Sequence, residues 1–304
     1  MKKAFKILGI AVFIAVIGFT LAVCSNGSTT PWAPSIITDE VLVTPANSFQ
    51  MGKDLGGGSN VTPICEVTLT QPFYMGKYEV TQKQWKTVMG TTIVQQQTAV
   101  YGDANDNYGR GDNHPMYCVN WYEAIVFCNK LSMKEGLTPA YSIAGSTNPD
   151  AWGIVPTSRD TTWNAATIVA GSTGYRLPTE AQWEYAAKGG NTGEAFKYSG
   201  SNDPDVVAVY GNYPNGTKPV KSKAPNGLGI YDMSGNVYEW CWDWCDDYTN
   251  APKTDPTGAV SGDDRVMRGG SCNDSAAILR SVDRDSGNPG CGGENIGFRV
   301  VRCQ

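Results

Sequence analysis

The sequence predicts an α+β fold, rich in loops and with few helices. Three observations carry this expectation. Only three stretches join a helix start signal to apolar residues at helical spacing. Short runs rich in Val, Thr and aromatic residues lie around them, as strands do. Much of the rest is turn-rich chain, with 35 Gly and 17 Pro among 304 residues. Apolar residues make up 41% and charged residues 17%, which excludes a disordered chain. Nine Trp and fifteen Tyr supply aromatic pins for such a fold.

The chain opens on a targeting signal. Lys2, Lys3 and Lys6 precede an apolar run over residues 8–23, short for a spanning helix and without a charged stop-transfer flank. Leu21-Ala22-Val23-Cys24 resembles a bacterial lipobox, with Val23 bulkier than the usual residue before the cysteine. Residues 1–23 are therefore expected to be a cleaved signal peptide, and Cys24 to carry acyl chains such as palmitate. Residues 24–40 read as a tether, flexible in SNGSTTPWAP. Residues 41–304 read as one domain, since no composition break or internal repeat divides them. The expected location is the bacterial outer membrane or cell surface, with the lipid anchor as the membrane contact.

Residues 41–52 (VLVTPANSFQMG) read as two short strands around a turn, and residues 67–76 add another that ends in FYMG. Three helices follow. Thr81 lies three residues before Gln84, Asn120 before Glu123, and Thr179 before Gln182, which is the capping-box spacing. Apolar residues then recur at helical spacing: Trp85 and Val88, Ala124 to Leu131, Trp183 and Ala186. Residues 95–115, 142–173 and 189–223 carry little pattern and read as irregular chain. At the end, Ile296, Phe298 and Val300 alternate with Arg299 and Arg302, as a half-buried closing strand would. Between that strand and Arg268-Gly269-Gly270-Ser271 lies a run of Ser, Asp, Asn, Gly and Cys without apolar period. A long loop clamped between ordered ends reads as a functional surface.

Composition removes several functions. The net charge is −5 and no basic run lies outside the N-terminus, so nucleic acid is not an expected partner. His114 is the single histidine, which leaves little room for a Ser-His-Asp triad. Cysteines other than Cys24 are Cys65, Cys118, Cys128, Cys241, Cys245, Cys272, Cys291 and Cys303. Their even number permits disulfides in an exported chain, but spacing does not choose a pairing. No second Cys/His pair at ligand spacing accompanies Cys241 and Cys245, which argues against zinc.

Several ordered segments together resemble one family: MGKYEVT at 75–81, PMYCVNW at 115–121, GYRLPTEAQWEYA at 174–186, NGLGIYDMSGNVYEW at 226–240, then RGGS and GFR. The chain is similar to the formylglycine-generating enzyme, or sulfatase-modifying factor, family over about residues 41–303. The resemblance implies a C-type-lectin-like fold of the formylglycine-generating-enzyme type. It also implies where redox chemistry would sit. The enzymes carry two copper-binding cysteines shortly after RGGS, and the matching positions here are Asp274 and Leu279. Leu279 cannot hold copper and Asp274 lacks the soft sulfur that Cu(I) selects, so no copper is expected. A multi-histidine iron site, used by another branch, is out of reach of one histidine. The family's calcium loop matches Asp232, Gly235, Val237 and Glu239. A structural calcium ion on those oxygens is one expectation; hydrogen bonding that merely orders the turn is the other.

Fixed ends with a chemically loose middle also resemble a narrower group, receptor-like variable proteins diversified by retroelements, among them a treponemal surface lipoprotein. That likeness implies a non-enzymatic binding surface over residues 268–302. The contact positions it implies are Cys272, Asp274, Ser275, Ile278, Leu279, Ser281, Asp283, Asp285, Ser286, Gly287, Cys291, Gly292 and Gly293. Ile278 and Leu279 are apolar for a loop, so each is either a contact or a buried pin. Arg280 and Arg284 are expected to hold the loop to the scaffold. The implied partner is a protein or glycan ligand, bound by a monomer. The alternative is an oxidase with a relocated thiol site at Cys272 and Cys291.

Overall fold

The computed structural model describes residues 35–46, 48–52, 61–104, 108–192 and 196–304. The signal peptide, Cys24 and most of the tether lie outside the described residues. The packed body starts at Ser35 rather than at residue 41. Ile37 is buried, and the Ile36 amide donates to Glu135 Oε1 at 2.6 Å, so the end of the expected tether belongs to the domain.

Among the described residues the helices are α1 (Gln82–Met89), α2 (Ile93–Tyr101), α3 (Trp121–Lys134), α4 (Thr161–Asn164), α5 (Glu180–Ala187) and α6 (Pro204–Val207). The strands are β1 (Glu40–Val43), β2 (Ser48–Met51), β3 (Cys65–Thr68), β4 (Phe73–Gly76), β5 (Tyr141–Ser142), β6 (Thr167–Ile168), β7 (Tyr175–Arg176), β8 (Tyr238–Trp244), β9 (Lys253–Thr254), β10 (Arg265–Arg268), β11 (Arg284–Gly287), β12 (Ile296–Gly297) and β13 (Val301–Cys303).

The three expected helices start where their capping boxes put them, at Thr81, Asn120 and Thr179. A fourth box, Thr92 with Gln95, starts α2 inside a stretch read as irregular. The run Gln95-Gln96-Gln97 interrupts the apolar period there, and Gln96 and Gln97 are buried all the same. Residues 41–52 hold two strands, but these do not pair with each other: β1 pairs with β4 and β2 with β3, both antiparallel. One sheet has the order β1-β4-β13-β7, and a second the order β11-β10-β8-β12. The latter carries the terminal segment on both its edges.

The closing alternation is overturned at Arg299. Phe298, Arg299 and Val300, between β12 and β13, are all buried. Arg299 turns inward because Glu239 waits there. Its Nε and Nη2 each donate to that carboxylate at 2.6 Å. Elsewhere aromatic residues fill the interior. Trp85 stacks on Phe127, and Phe298 meets Phe127 edge-on at 5.2 Å between centroids. Buried indole N–H groups find carbonyls: Trp121 donates to Cys241 and Trp240 to Val119, both at 2.9 Å. The eight described cysteines are free thiols.

Candidate functional site

The terminal segment is held from its first residue. Arg268, at the end of β10, is fully buried. Its Nη1 donates to the Val282 carbonyl at 2.9 Å and to the carbonyl of Asp283, while Nη2 pairs with Glu184. One guanidinium thus ties the start of the segment to its middle and both to α5. Gly269 and Gly270 then turn the chain with φ of +95° and +68°, and a Cβ on Gly270 would lie 2.5 Å from Leu279 Cδ2. Both conformation and space require glycine there. Asp274 closes a local turn, its Oδ2 accepting from the Ser271 amide at 2.9 Å and hydroxyl at 2.7 Å.

Further along, charged pairs fix the backbone. Arg280 donates Nε to Asp283 at 2.6 Å, a bond within the segment itself. Arg284 reaches the scaffold as expected, giving Nε and Nη2 to Glu180 of α5 at 2.8 Å each. The return path is pinned through main-chain bonds: Trp121 N to Pro289 O at 3.0 Å, Cys118 N to Gly293 O at 2.9 Å and Tyr238 N to Asn295 O at 2.8 Å.

Between these pins Ser275, Ile278 (43% exposed), Asp285 and Cys291 face solvent, and Asp274, Ser286, Gly287, Gly292 and Gly293 are half-buried. Four expected contact positions are corrected, because each is no more than 8% exposed. Cys272 packs inward with Sγ 3.5 Å from Tyr108 Oη, and burial pushes its thiol up to about 11. Leu279 sits against Tyr198, Val207 and Ala208, and Ser234 Oγ donates to its carbonyl at 2.8 Å, so it is a pin. Ser281 is drawn in by its amide, which donates to Lys197 O at 3.1 Å. Asp283 is neutralised by Arg280. Burial, and then the carboxylates of Asp274 and Asp285, raise the Tyr238 hydroxyl above its ordinary value.

Two flanking stretches carry no local signal in the sequence. Gly211 N donates to Asp274 O at 2.9 Å and Asn212 N to Cys272 O at 2.7 Å, which sets Tyr213 (69% exposed) beside the segment. At the other end Tyr101 Oη accepts from the Glu294 amide at 2.8 Å and is 54% exposed. Both contacts join residues distant in the chain.

The calcium expectation meets a mixed donor set. Glu239 is occupied by Arg299 and by Trp183 Nε1 at 2.7 Å, so it acts as a hydrogen-bonded counter-charge. Asp232 Oδ2 accepts from the Lys221 amide at 2.8 Å. Glu79, however, is fully buried with neither carboxylate oxygen partnered. Burial, then the charges of Asp232 and Glu239, raise it well above the usual carboxylate range. Three buried carboxyl groups therefore gather around one guanidinium. The unpartnered Glu79 oxygens and the all-oxygen donors suit a calcium ion held by Asp232 and Glu79 with loop carbonyls, rather than by Glu239. Among the described residues no three His, Cys, Asp or Glu side chains converge on one metal position, so main-chain oxygens would have to complete the set.

With this geometry in place, comparison assigns the lineage. The description of the sulfatase-modifying factor enzyme 1-like domain matches residues 29–304. The chain belongs to this family. It is 39% identical over 254 residues to the chaperone protein LppX of Paenibacillus barcinonensis, covering 77% of this chain and 80% of that protein. It is 29% identical over 301 residues to the formylglycine-generating enzyme of Mus musculus, covering 90% and 78%. Among solved structures, Treponema denticola variable protein 1 matches with a TM-score of 0.76 at 35% identity, over 87% of this chain and 95% of that one. The α+β, C-type-lectin-like fold is that of the family. The family holds proteins named as enzymes and proteins named otherwise, so membership does not by itself assign a reaction.

Proposed function

We propose that this protein is a non-enzymatic, lipid-anchored binding protein of the bacterial outer membrane or cell surface. It acts as a monomer and takes a protein or glycan ligand on the outward part of residues 273–294. One observation carries the reading: the arginine anchors face inward, while Ser275, Ile278, Asp285 and Cys291 face outward. The backbone is held by Arg268, Arg280 and Arg284 whatever the outward positions carry, so these can change without unfolding the scaffold.

The missing thiol pair supports the non-enzymatic half of the proposal. Asp274 is engaged in its own turn and Leu279 in an apolar cluster. Cys272, the nearest sulfur in sequence, is buried against Tyr108 Oη at 3.5 Å, and burial holds its thiol above the ordinary value. The test is copper-dependent oxygen consumption with a cysteine-containing peptide. No turnover is expected; turnover lost on Cys272→Ser would establish the oxidase instead. For binding, Ser275, Ile278 and Asp285 are replaced together. The melting temperature should hold while ligand recognition changes, and a collapse of the fold would defeat the reading. For the anchor, Cys24→Ala should release the protein from the membrane fraction.

A structural calcium ion at Asp232 and Glu79, with the carbonyls of Gly235 and Val237, is part of the same proposal. Calcium should raise the melting temperature and a chelator lower it, and Glu79→Gln should remove the response. Identical melting curves with calcium and with chelator would discard the ion.

A further inference from the structure

The two stretches that carry Glu79 and Asp232 are also the two that hold the ends of the terminal segment. Glu79 lies between β4 and α1. Gly76 N donates to Val300 O and Val80 N to Phe298 O, both at 2.9 Å, so this stretch carries the exit of the segment. Asp232 opens the loop that leads into β8, and that loop carries the entry. Gly235 N donates to Gly269 O and Cys272 N to Asn236 O, both at 2.9 Å, and Ser234 Oγ donates to Leu279 O at 2.8 Å.

The two stretches meet beside the carboxyl groups. Tyr231 N donates to Lys77 O at 2.7 Å, and Arg299 joins them again by giving Nη1 to Gly76 O at 3.1 Å and Nη2 to Tyr231 O at 3.0 Å. Both oxygens of the buried Glu79 carboxyl lack a donor, which is costly unless a ligand is bound there. The entry loop is rigid. Ser234 and Asn236 are buried, Asn236 N donates to Val209 O at 2.9 Å, and its Oδ1 accepts from Lys218 N at 3.1 Å. Gly235 has φ of +82°, and a Cβ there would run into the Val209 carbonyl oxygen. A displacement of Asp232 is therefore passed along the loop to Gly269, Cys272 and Leu279, because close-packed chain transmits strain.

We propose that Glu79 and Asp232, bridged by calcium, form a clip on the two ends of the terminal segment, so that calcium sets the order of its outward face. This inference rests on the calcium site and the binding surface proposed above. The clip closes the chain from Gly269 to Phe298 into a loop, and closing a loop removes freedom that its residues would otherwise keep. A segment ordered beforehand loses less entropy when a ligand binds, so calcium tightens recognition without touching the ligand. Ser234 and Asn236 are the positioning residues of this link, since they reach the segment and not the ion.

The test is hydrogen–deuterium exchange of the whole mature protein, read by mass spectrometry in calcium chloride and in chelator, beside melting curves in the same buffers. At about ten times its dissociation constant, calcium should make openings that release the ion about tenfold rarer, and amides of residues 269–282 and 294–298 should exchange about tenfold more slowly. Amides of the exposed strand β6 should not change. Glu79→Gln should abolish the slowing. Ser234→Ala should keep the calcium-dependent rise in melting temperature and the slowing over residues 269–274, but lose the slowing over residues 277–281. A raised melting temperature with unchanged exchange over residues 269–282, or with equal slowing in β6, would make the ion a plain stabiliser and overturn the clip. No response in either measurement would remove the ion and the clip together. Full slowing over residues 277–281 in Ser234→Ala would overturn the link through that hydroxyl.

Discussion

Residues 268–302 contain two regions that invert the usual rule of burial. In the anchoring region arginines are inside: Arg268, Arg280, Arg284 and Arg299 all lie below one-tenth exposure, each with a carboxylate. In the display region an isoleucine is outside, with serine, aspartate and cysteine beside it. Charge here specifies backbone geometry, since guanidinium forks reach several carbonyls and carboxylates at fixed angles. The display region makes no comparable demand. On the proposed function, stability and recognition fall to different side chains of one segment.

Breaking the anchors tests that division most severely. Arg299→Ala leaves Glu239 buried beside Glu79 and Asp232, and is expected to cost about 3–5 kcal/mol, read by urea unfolding. A loss below about 1 kcal/mol would mean the pair is replaceable and the division unsound. Next comes the contrast between neighbours. Leu279→Ala should cost about 2–5 kcal/mol by opening a cavity among Tyr198, Val207 and Ala208. Ile278→Ala, one residue earlier, should stay within about 0.5 kcal/mol. Equal effects at the two positions would erase the boundary.

Protonation supplies a gentler probe. Burial raises Asp243 to about 7 and Asp232 to about 6, from an ordinary value of 3.8. The folded state thus keeps protons that the unfolded chain has released. The contribution of these groups to stability is greatest at low pH and declines as pH rises from 3.8 toward about 7. Asp243→Asn should flatten that decline, seen as a smaller stability difference between acid and neutral buffers; an unaltered slope would show that Asp243 titrates normally. The smallest effect belongs to Ser275→Ala and Asp285→Asn, expected within about 0.5 kcal/mol of the parent by thermal unfolding.

Local chemistry was readable and distant chemistry was not. The capping boxes at Thr81, Asn120 and Thr179 depend on residues three apart, and all three hold. The box at Thr92 was obscured because three glutamines mask the apolar period, although two of them are buried. The strands of residues 41–52 were visible but their partners were not, since β4 and β3 lie well along the chain. Arg299 read as an outward residue by alternation. Its inward turn depends on Glu239, sixty positions away.

The sequence by itself determined the α+β class, the helix starts at Thr81, Asn120 and Thr179, and the lack of thiols at positions 274 and 279. Each rests on residue identity or short spacing, which the chain carries in full. Only the tertiary structure decided which of Cys272, Asp274, Ile278, Leu279, Ser281 and Asp283 point outward. It also left Glu79 unpartnered. Those outcomes depend on which buried carboxylate meets which guanidinium, and long-range pairing of charges is set by packing, not by local pattern.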